Sequence, residues 1–391
     1  MLRDETNQIL IGGIVALMIA MGIGRFAYTP ILPLMQNDLN FSETIAGLFA
    51  SSNYAGYLVG AIGTSVFAFK TSRVRFLRIA LFISIMTTIA MGLTEDYTIF
   101  HMLRFISGVA SAYIFVLASS IVLDYLAAIH KPKLSGMLYA GVGIGILFST
   151  IFIPTLYRLY HWQGTWIGLG IISALLLIIP MMTLRENIQV PNYRLSSKGS
   201  TLSVPSKKWF PLLTIAYGLE GFGYIITGTF IVAIAEQSAT FTGNATTVWA
   251  IAGLSAIPSC MIWSSIANRF GYMKTLTIIF FLQAIGIILP ALGEQPSLFY
   301  MSAILFGATF MGITTITATV ARHMFPLNSS KIIGFLTVIY ALGQMIGPAI
   351  GGWVADKSAS YSLTLLFAGA TVGIGAILIA TGIRYDQRKG G

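Results

Sequence analysis

Four charged side chains stand inside long apolar runs of this 391-residue chain: Arg25, Arg104, Asp124 and Glu220. An arginine in the middle of a bilayer costs roughly 2.5–3.5 kcal/mol on insertion scales, so each must face water, a partner or a ligand. Arg25 has two readings. Its planar guanidinium can dock a carboxylate or phosphate through two parallel hydrogen bonds; alternatively it is structural, satisfied by backbone carbonyls or an ion pair. Glu220 can take up and release a coupling proton or meet a cationic substrate; alternatively it forms a fixed salt bridge with Arg25. Arg104 taken alone is either a packed arginine satisfied within the first half or a charge with a function. Asp124, near the end of the same segment, reads as an interfacial or gate charge and is grouped with Glu220 and Arg104 as a candidate for proton coupling.

Polar aromatic residues cluster around these charges. Tyr28 follows Arg25 by three residues, and Tyr217, Tyr224 and Thr227 flank Glu220 at helical spacing. Asn53 and Tyr57, then Tyr340 and Gln344, lie in other apolar segments. Tyr28, Tyr224, Tyr340, Gln344 and Asn53 join Arg25 as expected substrate contacts; the competing reading is packing and interhelical hydrogen bonding. His101, His130, His161 and His323 are scattered without metal-ligand spacing, and Cys260 has no partner cysteine. No metal, cofactor or catalytic constellation is expected. No phosphate-cradling Gly-x4-Gly-Lys-Ser/Thr loop occurs in the sequence.

Elements that could hold such residues must themselves lie in lipid. The chain is 56% hydrophobic and 9% charged, against about 25% charged in a typical soluble domain. About 20 apolar residues span the hydrocarbon core. Twelve segments qualify, at 8–36, 42–69, 76–94, 98–127, 134–157, 164–184, 209–235, 244–267, 274–293, 297–325, 330–355 and 361–384. The first is read as a retained helix, since it lacks the small-residue cleavage pattern of a signal peptide.

The net charge of +10 does not imply nucleic acid. With the N-terminus inside, all but four of the 23 lysines and arginines fall in cytoplasmic loops or helix ends there. Arg158 and Lys357 are outside, and Arg25 and Arg104 are within helices. This bias places both termini in the cytoplasm of a multi-pass cell-membrane protein. Residues 185–208 form the longest polar segment, rich in serine and basic residues, and read as a cytoplasmic linker meeting anionic lipid. The linker divides a six-helix bundle, 1–184, from a second, 209–391.

The halves repeat. Gly22-Ile23-Gly24-Arg25-Phe26-Ala27-Tyr28 parallels Gly218-Leu219-Glu220-Gly221-Phe222-Gly223-Tyr224, and Gly136, Leu138 and Gly145 parallel Gly334, Leu336 and Gly343. Two matches at nearly one offset indicate a parallel internal repeat. Glu220 lies one position from the equivalent of Arg25, so both are expected to point near the shared axis.

With these features the chain resembles the major facilitator superfamily. Arg104-x3-Gly108 is similar to that family's fourth-helix motif. Ala267-Asn268-Arg269-Phe270-Gly271-Tyr272-Met273-Lys274 resembles its loop signature, with asparagine where aspartate is usual. The first-half copy, Lys70-Thr71-Ser72-Arg73-Val74-Arg75, keeps the charge but lacks the acidic residue and the glycine. Helix five lacks the proline of the antiporter motif, whereas Gly343-x3-Gly347-Pro348-x2-Gly351-Gly352 is a fuller version. Gly22-Ile23-Gly24-Arg25-Phe26-Ala27-Tyr28-Thr29-Pro30 with Leu32-Pro33 resembles the YbfB/YjiJ-like branch. The resemblance implies an all-α fold of twelve transmembrane helices in two pseudo-symmetric bundles, with helices 1, 4, 7 and 10 around a central cavity. It implies secondary active transport by alternating access, with no enzyme activity. The expected partners are a small organic solute, anionic or zwitterionic, together with protons and membrane lipids, in a monomeric carrier. Export of amphipathic cations and lipid-headgroup flipping are the alternatives, and a non-transporting sensor is a third.

Overall fold

The computed structural model describes residues 2–66, 72–131, 134–185 and 205–385. Lys70, Thr71, Lys133, Arg194, Lys198, Arg388, Lys389, the side chain of Arg3 and most of the 185–208 linker lie outside the described residues. Among the described residues the secondary structure is helical, with no strand.

The first crossing is not one regular helix. Helix α1 (Leu2–Leu17) passes into a π-helical turn, Met18–Ile23, before α2 (Tyr28–Leu39) resumes. The turn is held by five-residue hydrogen bonds, Gly24 N to Ile19 O at 2.8 Å and Phe26 N to Met21 O at 3.0 Å. Pro30 lacks the N–H that would have bonded the Phe26 carbonyl in a regular helix. Arg25 therefore sits in a break, where carbonyls are released from the helical ladder. Such π-bulges are frequent at functional sites.

Next come α3 (Glu43–Val66), α4 (Arg73–Met91), α5 (Tyr97–Ala128), α6 (Ser135–Leu176) and the short α7 (Ile178–Thr183). Asp96 caps α5 by accepting from the backbone N–H groups of Thr98 at 2.7 Å and Ile99 at 3.0 Å. The second half runs α8 (Phe210–Gln237), α9 (Thr246–Ala256), α10 (Ser259–Phe270), α11 (Tyr272–Ile288), α12 (Pro296–Met324), α13 (Ser329–Ser358) and α14 (Ser362–Ala380).

Ten described helical stretches are long and apolar enough to cross a membrane, or eleven when α9 and α10, bent by 44° at Pro258, count as one. The sequence leads one to expect twelve. The difference lies in Ser135–Thr183, a 49-residue stretch that as a straight helix would reach about 74 Å. It is not straight. Tyr160 and His161 leave helical geometry, His161 at φ 54°. Gly168 packs against the Leu156 side chain, although twelve residues of continuous helix would separate them by about 18 Å. The chain folds back at Tyr160 and His161, where two helices meet, and a count of twelve rests on dividing α6 there.

Glycine makes the packing between crossings. Gly22 meets the backbone of Gly145 on α6, and Gly343 on α13 meets the Gly218 carbonyl on α8. These are the glycines that the two halves share, so the repeat exists as matched backbone-to-backbone contacts. Across the halves, Gly47 and Gly352 pack α3 against α13, and Gly143 and Gly253 pack α6 against α9. Gly271, at φ 105°, ends α10 in a conformation that requires glycine, which accounts for its place in the loop signature.

Candidate functional site

Arg25 projects from the break in the first crossing and is 3% exposed. Its guanidinium lies 4.5 Å from the ring centres of both Tyr54 and Tyr57 on α3 and 5.5 Å from Phe26. Tyr57 is also within hydrogen-bonding reach, and Tyr224 and Tyr340 approach from the other half. The Nε and Nη2 atoms have no hydrogen-bond partner. These two atoms form one edge of the guanidinium, the fork that takes both oxygens of a carboxylate. Ring faces stabilise the charge but leave that edge unused.

An aromatic wall continues from this point. Tyr217 and Tyr340 stack at 4.4 Å, Tyr224 and Tyr340 at 5.6 Å, and Phe306 and Phe310 at 5.2 Å, all within 20° of parallel. Tyr224 lies parallel to Phe310 at 6.1 Å, and its hydroxyl accepts from Gln344. Tyr224, Tyr340 and Gln344 thus gather beside Arg25, as the sequence suggested, whereas Tyr54, Phe306 and Phe310 carried no polar or charged signal to separate them from core residues.

Tyr28, Asn53 and Arg104 do different work. The Tyr28 hydroxyl donates to Ala46 O at 2.9 Å, and its ring covers Arg104 at 4.5 Å. Asn53 Nδ2 donates to Arg104 O at 2.9 Å, joining α3 to α5. Arg104 Nη1 and Ser107 Oγ reach Gly24 O at 3.5 and 3.4 Å. That carbonyl lies in the break, so Arg104 braces the segment that carries Arg25. Asp124 stands apart, paired with Arg73 at 2.6 Å on a partly exposed surface.

Glu220 has its near polar neighbours in its own half. It forms no ion pair with Arg25 among the described residues; the side chains in reach of its carboxyl are Tyr340 and Gln283 of α11, within the second bundle. The repeat explains this: Glu220 aligns with Gly24, not Arg25, and one residue turns a helix by about 100°. Gln283, 0% exposed, was missed because its segment offered no second polar residue beside it.

The halves also meet through polar contacts. The Phe26 carbonyl, which Pro30 cannot bond and which accepts from Thr29 N at 3.3 Å, also accepts from Trp249 Nε1 of α9 at 3.1 Å. At the rim, the end where α2 gives way to α3, Asp356 of α13 accepts from the backbone N–H groups of Glu43 at 3.0 Å and Thr44 at 2.9 Å, and from the Thr44 hydroxyl. Glu43 in turn accepts from Gln36 at 2.9 Å, Gln237 at 3.0 Å and Tyr361. A cavity of about 370 Å³ lies beside this network, lined by Gln36, Asn40, Glu43, Glu236 and Gln237 among others.

Residues 17–380 match the family model described as "Uncharacterised MFS-type transporter YbfB". The chain belongs to this family of major facilitator transporters. It is 22% identical over 367 residues to the cis,cis-muconate transport protein of Acinetobacter baylyi, covering 90% of this chain and 88% of the relative. It is 22% identical over 362 residues to the sialic acid transporter NanX of Escherichia coli, covering 89% and 87%. In three dimensions the family member resembles the nucleoside transporter NupG, with TM-score 0.73 at 16% identity over 97% of this chain and 98% of that one. A bacterial homologue of the lysosomal transporter Spinster, in an inward-facing unoccupied conformation, superposes with TM-score 0.68 at 14% identity over 98% of each chain. The major facilitator fold and a multi-pass membrane transporter of the family are thereby established.

Proposed function

We propose that the chain moves a small organic solute bearing a carboxylate across the cell membrane by alternating access, as a proton-coupled secondary transporter. Arg25 carries this reading: a buried guanidinium with its Nε/Nη2 edge unpartnered, braced from behind by rings. The parallel aromatic wall suits a solute with a flat or apolar body. An anion or zwitterion fits better than an amphipathic cation, because the guanidinium stands in the aromatic wall unpaired by Glu220, whose near polar partners are Tyr340 and Gln283. Curated relatives named for muconate and sialic acid transport agree with a carboxylate-bearing substrate. In this reading the chain crosses twelve times as a monomer, its termini and the 185–208 linker are cytoplasmic, and the rim faces outward.

The test is a thermal-stability screen of purified protein against organic anions, zwitterions, cations and neutral sugars. A ligand at 100 times its Kd raises stability by about 2.7 kcal/mol. Carboxylates are expected to raise the midpoint, and both Arg25→Ala and Arg25→Lys to abolish the shift, since lysine lacks the fork. Stabilisation by lipophilic cations alone, retained in Arg25→Ala, would overturn the proposal.

A further inference from the structure

Glu220 and Gln283 share an unusual deficit. Both are 0% exposed, and all four of their polar side-chain atoms, Glu220 Oε1 and Oε2 and Gln283 Oε1 and Nε2, lack a hydrogen-bond partner. Tyr340 and Gln283 are nonetheless within reach of the carboxyl, and of the two only Gln283 offers a donor and an acceptor side by side. Leaving one buried polar group unsatisfied is costly enough that four together call for a common explanation.

We infer that Glu220 is held as a neutral carboxylic acid in a cyclic pair with the Gln283 carboxamide, and that this pair is the proton site of the second bundle. A carboxylic acid and a primary amide each offer one donor and one acceptor on adjacent atoms. Turned face to face, the acid O–H donates to Gln283 Oε1 and Gln283 Nε2–H donates to the acid carbonyl. One proton taken from water thus satisfies all four atoms. When that proton leaves, the carboxylate can still accept from Gln283 Nε2–H but has no O–H to give, so Gln283 Oε1 again lacks a partner and one half of the pair is lost.

The surroundings supply no cation to hold a carboxylate. The titratable side chains near Glu220 are Tyr217 and Tyr224 on its own helix and Tyr340 on α13. Helices α9 and α14 carry no charged residue, and those of α11 and α13 stand near the helix ends: Lys274 in the first turn of α11, Lys331 in the first turn of α13, and Asp356 and Lys357 in its last. Arg322 and His323 lie in the last turn of α12, and Asp38 at the end of α2. Tyr340 is the link to the first site, since it is near both Glu220 and Arg25. Opening the pair frees the carboxylate to draw on the Tyr340 hydroxyl and so reaches the wall beside the guanidinium. This role in coupling rests on the transporter reading, whereas the acid–amide pair itself does not.

Infrared difference spectroscopy on the purified protein, titrated from about pH 5 to pH 9, tests the pair without any transport assay. A protonated-carboxyl C=O band is expected at neutral pH, absent in Glu220→Gln and shifted in Gln283→Leu and Gln283→Asn. Glu220→Gln replaces the acid by an amide that can still pair, so the fold is preserved. The absence at neutral pH of any band that Glu220→Gln removes, or a band indifferent to both Gln283 variants, would overturn the pair; sodium-dependent stability abolished by Glu220→Gln would instead assign the site to a metal cation. Proteoliposome accumulation driven by a pH gradient is expected to be lost in Glu220→Gln. A band with the expected behaviour but no effect of the gradient on wild-type uptake would retain the pair and refute proton-coupled transport.

Discussion

Asp356→Ala removes the carboxylate that caps α3 from the opposite half. The acceptor serves two backbone N–H groups and one hydroxyl at the first turn of α3, where a helix has N–H groups without intrahelical partners. Loss of an N-cap costs about 0.5–2 kcal/mol, and solvent at the rim argues against adding a full ionic contribution. A value of about 1–2 kcal/mol shifts a two-state equilibrium by roughly 5- to 30-fold. The cap can form only while the halves touch at the rim, so its whole value should appear as a shift toward rim-open protein. Cys260 is the single cysteine of the chain and is buried, 2% exposed, so spin labels can be placed at cysteines introduced for Glu95 and Thr242, both exposed. Pulsed dipolar distances should show a longer population that grows by that factor in Asp356→Ala and by less in Asp356→Asn, which keeps one acceptor. An unchanged distance distribution in Asp356→Ala would refute the view that this cap biases the equilibrium.

Other substitutions separate packing from chemistry. Gly22→Ala would thrust a methyl against the Gly145 backbone and should cost about 1–3 kcal/mol, whereas Gly373→Ala, with open space around it, should leave the thermal midpoint unchanged or raise it slightly. Trp249→Phe leaves the Phe26 carbonyl with only the longer bond from Thr29 N and should cost about 0.5–1.5 kcal/mol in thermal unfolding; a Pro30→Ala background, which can supply the N–H four residues on, should shrink that loss. The Asp96 carboxyl is held below the usual range, chiefly by the Ile99 backbone N–H and further by Thr98. Because its folded value is below the unfolded value of about 3.9, the cap's contribution is complete above that pH and lost as pH falls through the folded value. The fall of the thermal midpoint with acid in that window should be smaller in Asp96→Asn.

The family, the helical architecture and the two-half repeat were legible because each is written in local composition or in glycine spacing. Gly22 could be matched to Gly218, and Gly145 to Gly343, by spacing alone; that Gly22 meets Gly145 and Gly218 meets Gly343 emerges only from the packing. Arg25 was legible because a charge in an apolar run is conspicuous. What it faces was less so: Tyr54 and Phe310 look like any core aromatic residue until the helices are placed. Glu220 shows the limit sharply, since the one-residue offset in the repeat does not say which side chains it meets, and these are Tyr340 and Gln283. The rim network could not be read at all. Its partners are 313 residues apart, and Asp356 looked like an ordinary solvated charge at a helix end. The reversal inside α6 was legible as the connection between segments 134–157 and 164–184, and its positive φ falls on His161, one of the non-glycine residue types that take it most readily.

That long-range cap also bears on how the chain is made. Synthesis proceeds from the N-terminus at about 5–20 residues per second, so α3 waits roughly 15–60 s for Asp356 to emerge. During this interval the first bundle can gather its own helices around Arg104 and the glycine contacts, yet its rim stays open and α3 ends without its acceptor. The last step of assembly and the closing of the rim in the finished protein are then one event, the arrival of a single carboxylate at the same two N–H groups. A mutation that slows folding at this point should therefore also alter how the mature carrier divides its time between states.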